Sequence, residues 1–91
     1  MWERVMSEHA ILALGSIITA GLTMALGAIG AALGESRVGA AGMDALARQP
    51  DEAASITRNQ FVALAMVEST AIFCLVIALV LLFANPFVTG S

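Results

Sequence analysis

The fold of this chain follows from residues 61–83, FVALAMVESTAIFCLVIALVLLF, an apolar run that contains a single charged residue, Glu68. As a helix rising ~1.5 Å per residue, the run is long enough to cross a hydrocarbon layer of ~30 Å. A charged side chain near the bilayer centre costs at least about 2.5–3.5 kcal/mol, so such residues are usually functional. The run therefore predicts a membrane-spanning helix whose Glu68 binds an ion or a proton.

The composition indicates a small integral membrane protein. Of its 91 residues, 59% are hydrophobic and only 12% are charged, and a soluble domain of this size could not bury or cover so much apolar surface. The net charge of −3 and the scattered arginines exclude nucleic-acid binding. The lone cysteine, Cys74, excludes an intramolecular disulfide and is expected to pack as a small apolar residue.

A second uncharged run occupies residues 10–34, and we interpret it as a retained membrane span. It is too long for the apolar core of a signal peptide, which is ~7–15 residues, and residues 1–9 lack the net positive charge that a signal peptide carries. Trp2 is expected to lie at the level of the lipid headgroups.

The end of this run alternates small residues, which favours close helix packing. Every second residue is small, and on a helix they form two ladders with four-residue spacing that suit a helix packed between neighbours on both sides. The alternative is the ordinary enrichment of Gly and Ala in membrane helices. The five residues are Ala28, Gly30, Ala32, Gly34 and Ser36.

The two spans predict an all-α membrane protein, a two-span transmembrane helical hairpin. Pro50 breaks the helical pattern, so we expect helix 1 over about residues 8–47, a loop at about 48–52 and helix 2 over about 53–84. Arg37, Arg48 and Arg58 flank the loop, which by the positive-inside rule places the loop in the cytoplasm and both termini outside, in the periplasm.

Folding the chain about its loop brings two carboxyl groups to the same depth. Glu35 precedes Pro50 by 15 residues and Glu68 follows it by 18, although this spacing does not determine whether they face each other. If they do, mutual repulsion means that one holds a proton over a wide pH range. Alternatively, Glu35 reaches water beside Arg37.

Two hydroxyl groups lie at the same depth as Glu68. Ser69 and Thr70 follow it directly, and they could either join the ion site or bond to carbonyl groups of their own helix.

Several motifs resemble the c subunit, or proteolipid, of rotary F-type ATP synthases. They are ARQP at 47–50, VEST at 67–70, LVIALVLLFANPF at 75–87 and the alternating small residues. The resemblance implies a closed homo-oligomeric ring of hairpins, in which Glu68 carries the ion. It also implies that Arg48, Gln49 and Pro50 contact the central stalk, and that the small residues pack the ring. The second carboxyl group is similar to that of some relatives, including the N-type rotary ATPases.

The same resemblance implies the partners and the location. The ring would turn against the a subunit of the stator and drive the central-stalk subunits gamma and epsilon, surrounded by membrane lipid in a bacterial inner membrane. The chain would not itself be an enzyme and would need no cofactor, because it would translocate ions for a complex that makes or hydrolyses ATP.

The identity of the ion, proton or sodium, stays open at this point. A sodium ion needs a cage of oxygen atoms, which Glu68, Glu35, Ser69 and the carbonyl group of Met66 could supply, with a water held by Thr70. However, Glu35 stands where many sodium-binding relatives have Gln, Phe73 where they have Tyr, and Met66 where a smaller residue is usual. A proton needs only the carboxyl groups, so we favour the proton, with sodium as the alternative.

Two other classes of protein use related features. Small multidrug exporters also carry one membrane Glu, but they have four spans and place that Glu in the first. A pore-forming protein such as a holin would leave Glu68 and the ARQP run unexplained.

Overall fold

A computed structural model describes the backbone of residues 2–89 and the side chains of residues 7–87. Helix α1, Trp2–Arg48, is followed by a 3-10 turn, Pro50–Glu52, and then by helix α2, Ala53–Phe83, and a short helix α3, Pro86–Thr89. Helices α1 and α2 are both long and apolar enough to span a membrane. The predicted all-α transmembrane hairpin is therefore confirmed.

The ends of the helices follow from local sequence. Helix α1 begins at Trp2, before the expected start at about residue 8, because no Pro or Gly precedes Gly15 to interrupt it. It ends at Arg48, and Gln49 takes the non-helical backbone angles φ −134° and ψ 69° that a residue before proline favours. The Trp2 side chain, expected at the headgroup level, lies outside the described residues.

Glycines on α1 allow α2 to approach closely. A Cβ atom added at Gly27 would lie 2.7 Å from the Sγ atom of Cys74, and one added at Gly34 would lie 3.0 Å from Cγ1 of Val67. Gly27 and Gly34 are seven residues apart, as are Val67 and Cys74, so the two helices run antiparallel in step. Cys74 is half-buried in this interface, where it packs as a small side chain.

The hairpin is a single layer with almost no core. It measures 73 × 17 × 9 Å, and the buried apolar residues within the described part are Ala20, Ala31 and Ala78. Large side chains such as Leu26, at 68% exposure, point outward along both helices. Exposed apolar faces of this extent are stable only against lipid or against other protein chains.

Candidate ion-binding site

The hairpin brings the two membrane carboxyl groups together. Glu35 follows Gly34 and Glu68 follows Val67, so the contact between Gly34 and Val67 places the two acidic residues beside each other. The Glu35 and Glu68 carboxyl groups lie within hydrogen-bonding reach. Glu35 is half-buried, whereas Glu68 is exposed on the isolated hairpin. The structure thus resolves the orientation that spacing alone left open.

A second pair of oxygen atoms lies next to Glu68 on α2. The Ser69 hydroxyl donates a hydrogen bond of 2.6 Å to the carbonyl oxygen of Met66, three residues earlier. The hydroxyl hydrogen is therefore bonded within its own helix, the alternative that the sequence had left open for Ser69. The two oxygen atoms remain adjacent; the Ser69 oxygen can still accept, whereas the Met66 carbonyl oxygen also accepts the helical bond from the N–H of Thr70.

The other residues proposed around the ion lie outward on α2. The Met66 side chain is 68% exposed and Phe73 is 69% exposed, and the Thr70 side chain is exposed as well. The described hydrogen bonds and ion pairs do not link Thr70 or Phe73 to either carboxyl group. Glu35, Glu68 and the Met66–Ser69 oxygens are therefore the polar groups that the hairpin itself gathers at this depth.

Charge balance decides what such a site can carry. Within the described residues, the one ion pair joins Arg48 to Asp44, at the loop, so no basic side chain in that part of the chain neutralises the two carboxyl groups. An ionised carboxyl group facing lipid is costly. To be neutral, the pair must hold either two protons, or one sodium ion and one proton.

The loop residues expected to contact the central stalk form the exposed tip of the hairpin. Arg48, Gln49 and Pro50 are all exposed. The Nε atom of Arg48 lies 3.2 Å from Oδ2 of Asp44, and the Gln49 N–H group donates to the carbonyl oxygen of Ala45. The bond from Gln49 continues the helical hydrogen bonding of α1 up to the turn.

The alternating small residues divide between two faces of α1. Ala28, Gly30, Ala32 and Ser36 are exposed, and a Cβ atom at Gly30 would meet nothing within 4 Å. Gly34 differs because it packs on Val67 inside the hairpin. Residues two apart on a helix point in nearly opposite directions, so this set cannot form a single face.

One polar contact was not predicted from the sequence, where Asn85 appeared only within the motif at 75–87. Asn85 is buried, at 4% exposure. Its Nδ2 atom donates a 2.6 Å hydrogen bond to Oγ of Ser16 on α1, and its Oδ1 atom accepts a 2.9 Å bond from the N–H of Phe87. The available signal was a polar residue followed by proline, the usual start of a helix, here α3.

Comparisons with known proteins agree with one another. A family model that describes the C subunit of ATP synthase matches residues 18–81, which include both carboxyl groups and the loop. The chain is 55% identical over 74 residues to the second ATP synthase c subunit of Cereibacter sphaeroides, covering 81% of this chain and 89% of the relative. It is 47% identical over 73 residues to the ATP synthase c subunit of Petrotoga mobilis, covering 80% and 76%. It is 45% identical over 79 residues to the chloroplastic ATP synthase c subunit of Cyanidioschyzon merolae, covering 87% and 98%.

Proposed function

Because this chain belongs to the family of ATP synthase c subunits, we propose that it carries protons across the membrane on Glu68 as one member of a rotor ring. The observation that carries this proposal is the placement of the Glu35 carboxyl group within hydrogen-bonding reach of Glu68. Family membership argues against the two alternatives, a small multidrug exporter and a pore-forming protein.

The proposed cycle follows from the cost of charge in lipid. Glu68 takes up a proton where an aqueous path reaches it, crosses the lipid-facing part of its circuit uncharged, and releases the proton into a second path. Glu35 stays protonated and donates a hydrogen bond to Glu68 whenever Glu68 is ionised, which lowers the cost of the transient charge. The role of Glu35 is thus to stabilise the unloaded state.

The arrangement of the oxygen atoms favours a proton over sodium. Two neighbouring carboxyl groups are sufficient to hold protons, whereas a sodium ion needs several further oxygen ligands in fixed positions. Of the proposed ligands, Ser69 is bonded to Met66 and Thr70 is exposed. Sodium coupling remains the second candidate because the Ser69 and Met66 oxygens lie together beside Glu68.

The remaining assignments follow from the same family. The ring would work against the a subunit of the stator and would hold the central-stalk subunits gamma and epsilon on Arg48, Gln49 and Pro50. The loop would face the cytoplasm and the termini the periplasm of a bacterial inner membrane. The chain itself would perform no chemistry on ATP and would need no cofactor.

The test is carbodiimide labelling of the purified ring, with sodium titrated at several pH values. The reagent attacks a protonated carboxyl group, so the labelling rate of Glu68, followed by mass spectrometry, reports its proton occupancy. We expect the rate to depend on pH and to be unchanged by sodium, with potassium at equal ionic strength as the control.

Two results would contradict the proposal. A labelling rate that falls as sodium rises at fixed pH would mean that sodium displaces the proton and that the ring is sodium-coupled. An absence of labelling at Glu68 at every pH would remove Glu68 from the transport role.

A further inference from the structure

The open end of the hairpin carries a polar contact that the transport cycle does not use. Asn85, between α2 and α3, donates its 2.6 Å hydrogen bond to Ser16 on α1. Like the pair of carboxyl groups at mid-depth, this bond joins the two arms of the hairpin through their side chains. The turn at Pro50 fixes the other end covalently, so the bond closes the end that is otherwise free.

The surroundings of this bond make it selective for its partner. Asn85 is 4% exposed, and the groove beside it is lined mainly by apolar groups, among them Ile11, Leu12 and Leu81. The same Nδ2 atom also lies 3.5 Å from the carbonyl oxygen of Leu81, so loss of Ser16 leaves the amide a longer bond and costs less than the ~1–3 kcal/mol of an unsatisfied buried amide. Contacts between small apolar groups, such as that of Gly27 with Cys74, do not select one partner in this way. They exclude water but do not require a particular orientation of the side chain.

Movement of the two arms about the turn would couple this bond to the ion site. Counted along α2 from Glu52, Glu68 is 16 residues away and Asn85 is 33. If the arms splay about the turn, Glu68, on α2, moves about half as far as Asn85, which lies two residues beyond the last residue of α2, Phe83. A splay of about 1 Å at the open end would therefore move Glu68 by about 0.5 Å, which is the whole range over which hydrogen-bond lengths vary.

We propose that Asn85 and Ser16 are positioning residues that hold the open end of the hairpin closed and thereby keep Glu68 against Glu35. This inference rests on the proposed role of Glu68 in ion transport. Buried polar pairs are known to fix the alignment of packed helices, at some expense in stability. The bond that Asn85 accepts from the N–H of Phe87 orients the side chain so that its NH₂ group faces α1.

The experiment compares variants of the assembled, purified ring at the pH where wild-type Glu68 is labelled by carbodiimide at half its maximal rate. Ser16→Ala removes the acceptor and leaves the cap of α3 intact. Asn85→Ser keeps a hydroxyl group that can cap α3, but this side chain is too short to reach Ser16. It replaces Ser16→Ala as the test variant if rings of Ser16→Ala do not assemble. Thr19→Val is the control, because Thr19 lines the same groove and its hydroxyl makes none of the described side-chain bonds.

We expect Ser16→Ala and Asn85→Ser each to speed labelling about 1.5-fold, because ionised Glu68 then loses the hydrogen bond from Glu35 and a larger fraction of Glu68 is protonated. This factor corresponds to the ~0.6 kcal/mol average of interhelical hydrogen bonds in membranes, applied at the half-maximal pH. The double variant should be no faster than either single variant, and Ser16→Thr should keep the wild-type rate. Intact rings that label at the wild-type rate or slower in both single variants would overturn the inference. Failure of wild-type Glu68 to label would instead overturn the proposed function.

Discussion

Two glycines on the α2-facing side of α1 should respond in opposite ways to the same substitution. At Gly27 an added Cβ atom would lie 2.7 Å from Sγ and 2.8 Å from Cβ of Cys74. At Gly42 the atoms in the way belong to the far end of the Gln60 side chain. The Cβ atom of Cys74 is fixed to the backbone of α2, whereas the Gln60 amide can rotate away. We predict that Gly27→Ala destabilises the ring and that Gly42→Ala does not.

The magnitude follows from two opposing contributions. Alanine is a better helix former than glycine by about 0.8–1.0 kcal/mol, which applies to both variants. Forcing an extra methyl group into a packed interface costs about 1–3 kcal/mol, which applies only where the neighbour cannot move. The difference between the two variants should therefore be about 1–3 kcal/mol per hairpin, with Gly42→Ala close to neutral or slightly stabilising.

The assay is the temperature at which purified rings dissociate into single hairpins in detergent, resolved by gel electrophoresis. Gly21→Ala is the matched control on the same helix, because a Cβ atom there would meet nothing within 4 Å. The clash is isolated by a double-mutant cycle with Cys74→Gly, which removes both obstructing atoms. In that background Gly27→Ala should no longer lower the dissociation temperature.

Either of two results would contradict the predicted difference between Gly27→Ala and Gly42→Ala. The first is a ring of Gly42→Ala that dissociates below the ring of Gly27→Ala, since mobility of the neighbouring side chain would then not govern the cost. The second is an undiminished effect of Gly27→Ala in the Cys74→Gly background, since the clash would then lie elsewhere.

Three further predictions concern charged residues. Glu68→Gln should abolish the pH-dependent part of carbodiimide labelling, measured as the mass increase of the chain, and leave at most the labelling of protonated Glu35; pH-dependent labelling that persists would place the reactive group elsewhere. Glu35→Gln should speed labelling of Glu68 at the half-maximal pH of the wild type, because ionised Glu68 loses the hydrogen bond from the neighbouring carboxyl group and more of it is protonated, whereas Glu8→Gln should leave the rate unchanged; an equal change in both would argue against a specific pair. Asp44→Asn should change the free energy of ring dissociation by less than ~0.5 kcal/mol, because its bond to Arg48 is an exposed pair within one helix; a larger loss would mean that the pair is buried in the assembly.

The axial arrangement of the hairpin was predictable from sequence because it depends only on the number of residues between each position and the turn. Pro50 places the turn, both helices rise equally per residue, and Glu35 and Glu68 therefore reach the same depth. The structure agrees, since Gly34 meets Val67. Their facing was not predictable, because the direction of a side chain depends on helix twist. A drift of ~20° per heptad accumulates over the residues that separate each Glu from the turn.

The contact between Asn85 and Ser16 was out of reach for a related reason. The start of α3 could be read locally, since an Asn before a Pro is a common helix start. The Nδ2 bond instead joins residues 69 positions apart, and its geometry depends on how α1 and α2 lie at the end farthest from the turn. Local patterns of apolar and polar residues carry no information on the distance between α1 and α2 at that end.

The thinness of the hairpin has a consequence for its biogenesis. A layer 9 Å thick offers no interior, and Glu68 is exposed on it, so a newly inserted hairpin presents this carboxyl group to lipid before any neighbour covers it. Each ionised carboxyl group would add about 2.5–3.5 kcal/mol to the free energy of insertion, whereas a protonated, hydrogen-bonded pair avoids most of that cost. The energetics of insertion therefore favour a hairpin whose paired carboxyl groups are protonated over one in which either is ionised.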